Sequence, residues 1–332
     1  VQSLPERFGK YHVLGRIAQG GMAEIYKVKT VGIAGFEKIQ ALKRILPAYA
    51  RRPRFIRSFV DEARIAVELN HRNIVQVFDF GKAGGELYLA MELIEGIDLK
   101  SAVAAAAHAG IALPVPLACY LLGQVATGLD YAHRKRDVHG EDLGIVHCDV
   151  SPQNIMLSHE GFVKILDFGV ARARISTTPR ERRLRGKPRY MSPEQTRGEI
   201  PSTATDVFSL GIITWELLTG LPLFEGRNLN QILAAVRRAD VPSVHKLNPN
   251  VPLELSRTLE SALARKPEDR TTAAVLAQAL TGAARVMAPG VSGRTLAEWL
   301  GHVCPPVPRE QKRADTAATN VEIPAAPLAP DT

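Results

Sequence analysis

Apolar and polar positions change period several times along the chain. From Tyr11 to Val28 apolar and β-branched residues alternate around Gly20-Gly21, the pattern of a β-hairpin. Ile39 to Ile45 reads as a strand with Lys43 set among apolar neighbours. Pro53 to Leu69 shifts to helical spacing, with Phe55, Phe59, Ile65 and Leu69 on or near one face. Leu87 to Gly96 returns to strand and leaves through the glycine. Leu99 to His108 and Leu117 to His133 are alanine- and leucine-rich helical stretches. The polar run from Arg134 to Gly144 predicts a surface excursion. Val163 to Leu166 is a short apolar run ending in Asp167-Phe168-Gly169. Far downstream, Thr295 to Val303 predicts one short helix carrying Leu296, Trp299 and Leu300. After Cys304 the residues are mostly Pro, Ala, Thr and charge without periodicity, which predicts a disordered tail.

With 332 residues the chain is long enough for more than one lobe around a large core. Its longest low-polarity stretch, Ala102 to Leu122, is interrupted by His108, Pro114 and Pro116. The apolar run from Leu210 to Phe224 is too short to span a bilayer and contains Glu216. The N-terminus carries no apolar secretory core, so neither membrane insertion nor export is expected. Cys119, Cys148 and Cys304 are irregularly spaced, which argues against a disulfide framework or a zinc site and favours a cytoplasmic location. The net charge of +8 first suggests a nucleic-acid partner. Its distribution argues otherwise: Arg172 to Arg189 holds eight cationic side chains against the lone Glu181, nearly the whole excess. That is one basic loop rather than a basic face.

The chemistry concentrates in His147-Cys148-Asp149-Val150-Ser151-Pro152-Gln153-Asn154. Asp149 is a carboxylate able to accept a hydroxyl proton. Asn154 and Asp167 are hard oxygen ligands of the kind Mg²⁺ prefers beside phosphate oxygens. H-x-D-x-x-x-x-N followed by D-F-G resembles the core of the protein kinases, and further motifs stand in the family order. Lys43 in Ala41-Leu42-Lys43 resembles the lysine that grips the α- and β-phosphates, and Glu62 occupies the place of its carboxylate partner. His71-Arg72-Asn73-Ile74-Val75 resembles the lead into the fourth strand. Met191-Ser192-Pro193-Glu194 resembles A-P-E, Asp206-Val207-Phe208-Ser209-Leu210-Gly211 the start of the helix under the catalytic loop, and Arg270 the partner of Glu194.

The resemblance covers roughly Tyr11 to Arg285 and is greatest to the bacterial eukaryotic-like Ser/Thr kinases. It implies an α+β bilobal fold, with a small lobe (11–94) of five antiparallel strands and one main helix on a mostly helical large lobe (95–285). A short C-terminal helix (286–304) and the tail (305–332) follow. It implies ATP and Mg²⁺, the metal on Asn154 and Asp167. Around the nucleotide it implies Ile17, Ala18, Gly20, Gly21, Ile25, Ala41, Lys43 and Met156, with Met91 as gatekeeper and adenine on the backbone of Glu92 and Ile94. Asp98 is either a ribose ligand or an N-terminal charge on the following helix.

Departures from the family pattern are informative. The glycine-rich loop reads Ala18-x-Gly20-x-x-Ala23-x-Ile25, with two glycines replaced by alanine, which stiffens it. Cys148 stands where regulated kinases have an arginine that binds an activation-loop phosphate, so weak dependence on phosphorylation at Ser176, Thr177 or Thr178 is expected. Ser151 stands in place of the usual catalytic-loop lysine, and Lys187 in place of a threonine in the segment before A-P-E. Hydroxyl and ammonium are exchanged: either Lys187 reaches back towards Asp149 and the γ-phosphate, or it is one more solvated charge. Ser151-Pro152 speaks for Ser/Thr acceptors in a protein substrate, Val170 for threonine, and the basic loop for acidic surroundings. The alternative is a nucleotide-binding pseudokinase scaffold, which Ala18, Ala23 and Cys148 would favour.

Overall fold

A computed structural model describes residues 6–50, 53–168 and 187–305, with backbone only at positions 50, 53–55, 58, 61 and 62. The expectations for Glu62, Phe55, the basic loop up to position 186 and the tail from 306 therefore lie outside the described residues or side chains.

The small lobe is an antiparallel sheet in the order β1-β2-β3-β4-β6-β5. Its strands are β1 (Arg7–Phe8), β2 (Tyr11–Gln19), β3 (Ala23–Val31), β4 (Glu37–Ile45), β5 (Val77–Ala83) and β6 (Glu86–Met91). Five strands were expected; the sixth is the two-residue edge strand β1, too short to produce a visible alternation. α1 (Pro47–Ala50) and α2 (Pro53–Glu68) follow β4. α2 turns Phe59, Ala63 and Ala66 into a core with Ala41, Val77, Leu89 and Met91, which accounts for its helical spacing.

A second sheet joins β7 (Gly96–Asp98), β8 (Ile155–Ser158) and β9 (Val163–Ile165), all antiparallel. Gly96 is required here, since a Cβ at that position would lie 2.0 Å from the Leu157 carbonyl oxygen. The lobes are joined at β9: Val75 N–H donates to the Ile165 carbonyl at 2.9 Å, and Ile165 N–H to the Asn73 carbonyl at 2.8 Å.

The large lobe contains α3 (Leu99–Ala109), α4 (Val115–His133), α5 (Pro193–Arg197), α6 (Thr203–Thr219), α7 (Leu229–Arg238), α8 (Val244–Leu247), α9 (Leu253–Ala262), α10 (Ala273–Met287) and α11 (Gly293–Val303). α6 is buried almost all round, Val207, Phe208, Leu210, Ile212, Ile213 and Trp215 being enclosed, so it forms the axis of the lobe. α11 docks with Leu296 and Leu300 fully buried and Trp299 Nε1 donating to the Ala112 carbonyl at 3.1 Å. The fold is therefore the bilobal α+β arrangement expected, with the 134–144 run on the surface as an exposed loop.

Candidate active site

The loop between α4 and β8 owes its shape to a buried carboxylate. Asp206, near the start of α6, is fully enclosed. Its Oδ2 accepts from His147 N–H at 2.8 Å and from His133 Nε2 at 2.8 Å, and its Oδ1 accepts from Cys148 N–H at 2.8 Å. Cys148 has φ 62°, a left-handed conformation that non-glycine residues adopt only when the surroundings enforce it. Gln195 Nε2 completes the restraint by donating to the Cys148 carbonyl at 2.8 Å. His147 Nε2 lies 2.8 Å from the Leu166 carbonyl, while its Nδ1 accepts from Asp149 N–H at 3.2 Å. A carbonyl only accepts, so the Nε2–H tautomer satisfies both bonds. His147 also meets the Phe168 ring edge-on at 4.8 Å between centroids. The imidazole thus couples the loop to the strand end that carries Asp167.

Four of the expected residues converge beyond this scaffold. Asn154 Nδ2 donates to the Asp149 carbonyl at 2.8 Å and to Asp149 Oδ2 at 3.0 Å. Lys187 Nζ donates to Ser151 Oγ at 2.6 Å and lies 3.8 Å from Asp149 Oδ2. The remaining oxygen, Asp149 Oδ1, is buried without a hydrogen-bond partner among the described residues. Lys43 pairs with Asp167, Nζ to Oδ1 at 2.7 Å. Enclosure pushes the Asp167 carboxyl upward, but Lys43, with smaller contributions from His147 and Lys187, outweighs it and holds the group below its ordinary range. Asp167 is itself left-handed, at φ 55°.

The proposed nucleotide walls fall on both lobes. Ala41 and Met91 are buried cross-strand partners on β4 and β6, and Ile25 and Ile94 pack against the same cluster. Met91 also lines a small cavity with Val77, Leu89, Asp167 and Phe168, which places it near Asp167, one of the two metal-site candidates. Ile17, Ala18, Gly20 and Gly21 are exposed at the β2–β3 turn, where Gly20 N–H donates to the Ala23 carbonyl at 2.8 Å. Met156 pairs with Asp98 across β7 and β8. Asp98 caps α3: Oδ1 accepts from Ser101 N–H at 3.0 Å and Oδ2 from Ser101 Oγ at 2.6 Å, the helix-terminal role weighed from the sequence.

Two functional contacts had no counterpart in the sequence reading. Lys164 Nζ donates to Glu92 Oε2 at 2.6 Å, tying the segment that follows β6 to β9. Gln195 was the other, and the capping-box spacing Ser192-x-x-Gln195 was a usable signal for it. The pairing expected of Arg270 is present: its guanidinium forks onto Glu194 at 2.7 and 2.8 Å, both groups almost wholly buried.

The protein kinase domain family matches residues 11–280. The chain belongs to the protein kinase family. Among kinase relatives, it is 39% identical over 280 residues to the tyrosine-protein kinase MasK of Myxococcus xanthus (strain DK1622), an alignment covering 83% of this chain and 43% of MasK. It is 34% identical over 263 residues to the serine/threonine-protein kinase PrkC of Bacillus subtilis (strain 168), covering 79% and 38%. The chain thus spans about two-fifths of the length of these relatives. Among solved kinase structures it resembles the Mycobacterium tuberculosis PknI kinase domain, with TM-score 0.63, 28% identity, and 84% and 99% of the two chains covered. Among the described residues no helix is long and apolar enough to cross a membrane.

The donor set fits the Mg²⁺ that the family implies. Because Asn154 Nδ2 is committed to the Asp149 carbonyl, the amide orientation is fixed and its Oδ1 is left as an acceptor. With the Asp167 carboxylate this offers two hard oxygen ligands, the rest being supplied by phosphate and water.

Proposed function

We propose that this chain transfers the γ-phosphate of ATP to a Ser or Thr hydroxyl of a protein substrate. The observation that carries the proposal is Asp149. One of its oxygens is held by Asn154 and faced by Lys187, while the other has no hydrogen-bond partner among the described residues and is left to accept the substrate hydroxyl's hydrogen. As the acceptor oxygen bonds to the γ-phosphorus, its proton passes to Asp149. The bond from that phosphorus to the bridging oxygen breaks, and its electron pair stays on the ADP β-phosphate. Such a reaction needs little covalent help and depends on positioning and charge compensation. Lys43 would bind the α- and β-phosphates, with Glu62 orienting it, and adenine would bond to the hinge backbone at Glu92 and Ile94. Asn154 and Asp167 would hold Mg²⁺, which would supply charge neutralisation at the phosphates.

The loop around Cys148 is held by Asp206 and Gln195, which supports a kinase that does not depend on an activation-loop phosphate to order its catalytic loop. The full set of roles favours activity over the scaffold reading. Radiolabelled ATP with wild type and Asp149→Asn tests the proposal: labelling of a protein acceptor by the wild type only is expected, and equal labelling by both refutes it. A second acceptor class has one observation behind it, the 39% identity to a relative named as a tyrosine kinase. Phosphoamino-acid analysis of the labelled product separates the two, with phosphoserine or phosphothreonine expected.

A further inference from the structure

We propose that Lys187 is the cation that binds the transferred phosphate, and that Ser151 is its positioning residue. The proposal rests on the kinase reading and adds to it a charge delivered from outside the catalytic loop. Residues 147–154 contain no lysine or arginine, so that loop has no permanent cation of its own for the γ-phosphate. Lys187 comes from 36 residues beyond Ser151 and still ends 2.6 Å from its hydroxyl and 3.8 Å from Asp149 Oδ2.

The ion pair with Asp149 does not by its stability explain that placement. The ammonium and the carboxylate are both partly exposed, 35% and 22%, and such pairs contribute little to folding. The placement is nevertheless enforced. Tyr190 N–H donates to the Lys187 carbonyl at 2.8 Å, closing a turn. Ser209 Oγ then donates to the Tyr190 carbonyl at 2.7 Å, and Tyr190 Oη to Glu216 Oε2 at 2.9 Å. Ser209 and Glu216 belong to α6, the helix whose Asp206 holds His147 and Cys148. One rigid helix therefore sets both the carboxylate that takes the proton and the turn that brings the ammonium. Ser151 is fully buried, and its hydroxyl fixes the end of an otherwise rotamer-rich side chain beside the carboxylate. A preorganised cation at that point stabilises charge developing on the phosphoryl oxygens without reorganising during transfer.

The test compares binding of ADP with that of a non-hydrolysable ATP analogue, both with Mg²⁺, by calorimetry on wild type, Lys187→Met and Ser151→Ala. Loss of a charge-assisted contact to the terminal phosphate should weaken the analogue by about ten- to a hundredfold in Lys187→Met and leave ADP unchanged. Ser151→Ala should shift the analogue in the same direction by less. In turnover, kcat of Lys187→Met should fall by about a hundred- to a thousandfold. Lys187→Arg should retain part of that activity, and adding Ser151→Lys to Lys187→Thr should recover much of what the single change loses. Equal effects on both ligands, or no effect on either, overturn the role of Lys187 while leaving the kinase reading intact. Failure of wild type to bind either ligand overturns both.

Discussion

Asp206→Asn is the most informative single change in the scaffold, because three donors converge on two carboxylate oxygens. His147 N–H and His133 Nε2 share Oδ2, and Cys148 N–H takes Oδ1. An amide presents one acceptor and one donor. The His133 ring can exchange tautomers and accept, but the two backbone N–H groups cannot. Whichever way the amide sits, one backbone N–H faces another donor inside a fully enclosed site. A buried donor left unsatisfied costs about 1–3 kcal/mol, and the charge-assisted bond it loses is itself worth about 1.5–3 kcal/mol. The total expected in urea denaturation is about 2.5–6 kcal/mol. Part of it should be released locally, since Cys148 at φ 62° is held in a conformation costing about 1–3 kcal/mol. Amide exchange at His147 and Cys148 should therefore accelerate more than exchange in α4, and kcat should drop with Asp149 itself unaltered. A stability loss under about 1 kcal/mol, with exchange at both amides unchanged, would refute the assignment of Asp206 as the loop's anchor.

Glu194→Gln should destabilise the large lobe by about 3–5 kcal/mol at pH 7, because it leaves the Arg270 guanidinium buried without its counter-ion. Burial alone would raise the Glu194 pKa, but Arg270 and the helix-terminal bonds hold it below the ordinary value of 4.5. The pair's stability is therefore present above about that pH and is lost as pH falls through the lowered native value. The gap between wild type and Glu194→Gln in thermal melts should narrow in acid. Replacing Ser176, Thr177 and Thr178 together by alanine should leave kcat within about threefold of wild type, since no arginine stands at Cys148 to read a phosphate; abolished turnover would contradict this. Trp299→Ala should cost about 3–5 kcal/mol in urea melts through lost packing and the bond to Ala112, without changing the affinity for ADP.

The long elements were legible because their burial is one-sided or continuous. The hairpin on either side of Gly20-Gly21 and the α2 position of Phe59 follow from which face meets the core, whereas Leu69 lies just past α2 and joins the large-lobe cluster. The three- and four-residue strands β7, β8 and β9 were not, since so few positions give no readable alternation and the β7–β8 pairing depends on the close approach of Gly96 to Leu157. Residue identity could nominate Asp98 for two roles; only its bonds to Ser101 show the cap. The exchange of Ser151 and Lys187 was visible as an oddity in two distant segments, but their 2.6 Å contact depends on a turn and a helix that no local pattern encodes. The Lys164–Glu92 pair escaped for the same reason, being 72 residues apart and indistinguishable in sequence from surface charge.

The contacts of α6 explain why those two oddities are tolerated together. Its first turns engage the catalytic loop through Asp206 and the Glu194–Arg270 pair through Thr205, whose Oγ1 donates to Glu194 Oε1 at 2.8 Å. Its later turns engage the Lys187 turn through Ser209 and Glu216. A loop arginine reading a distant phosphate would order these parts by adding charge after synthesis. Here hydrogen bonds to side chains of one helix hold them together. Moving the cation from the catalytic loop to the Tyr190 turn is compatible with that scheme because both ends are referenced to the same rigid element. If Lys187 binds the phosphate as proposed, any displacement of the turn would remove the cation from Asp149, and docking of residues 187–190 on α6 would become a condition for a complete site.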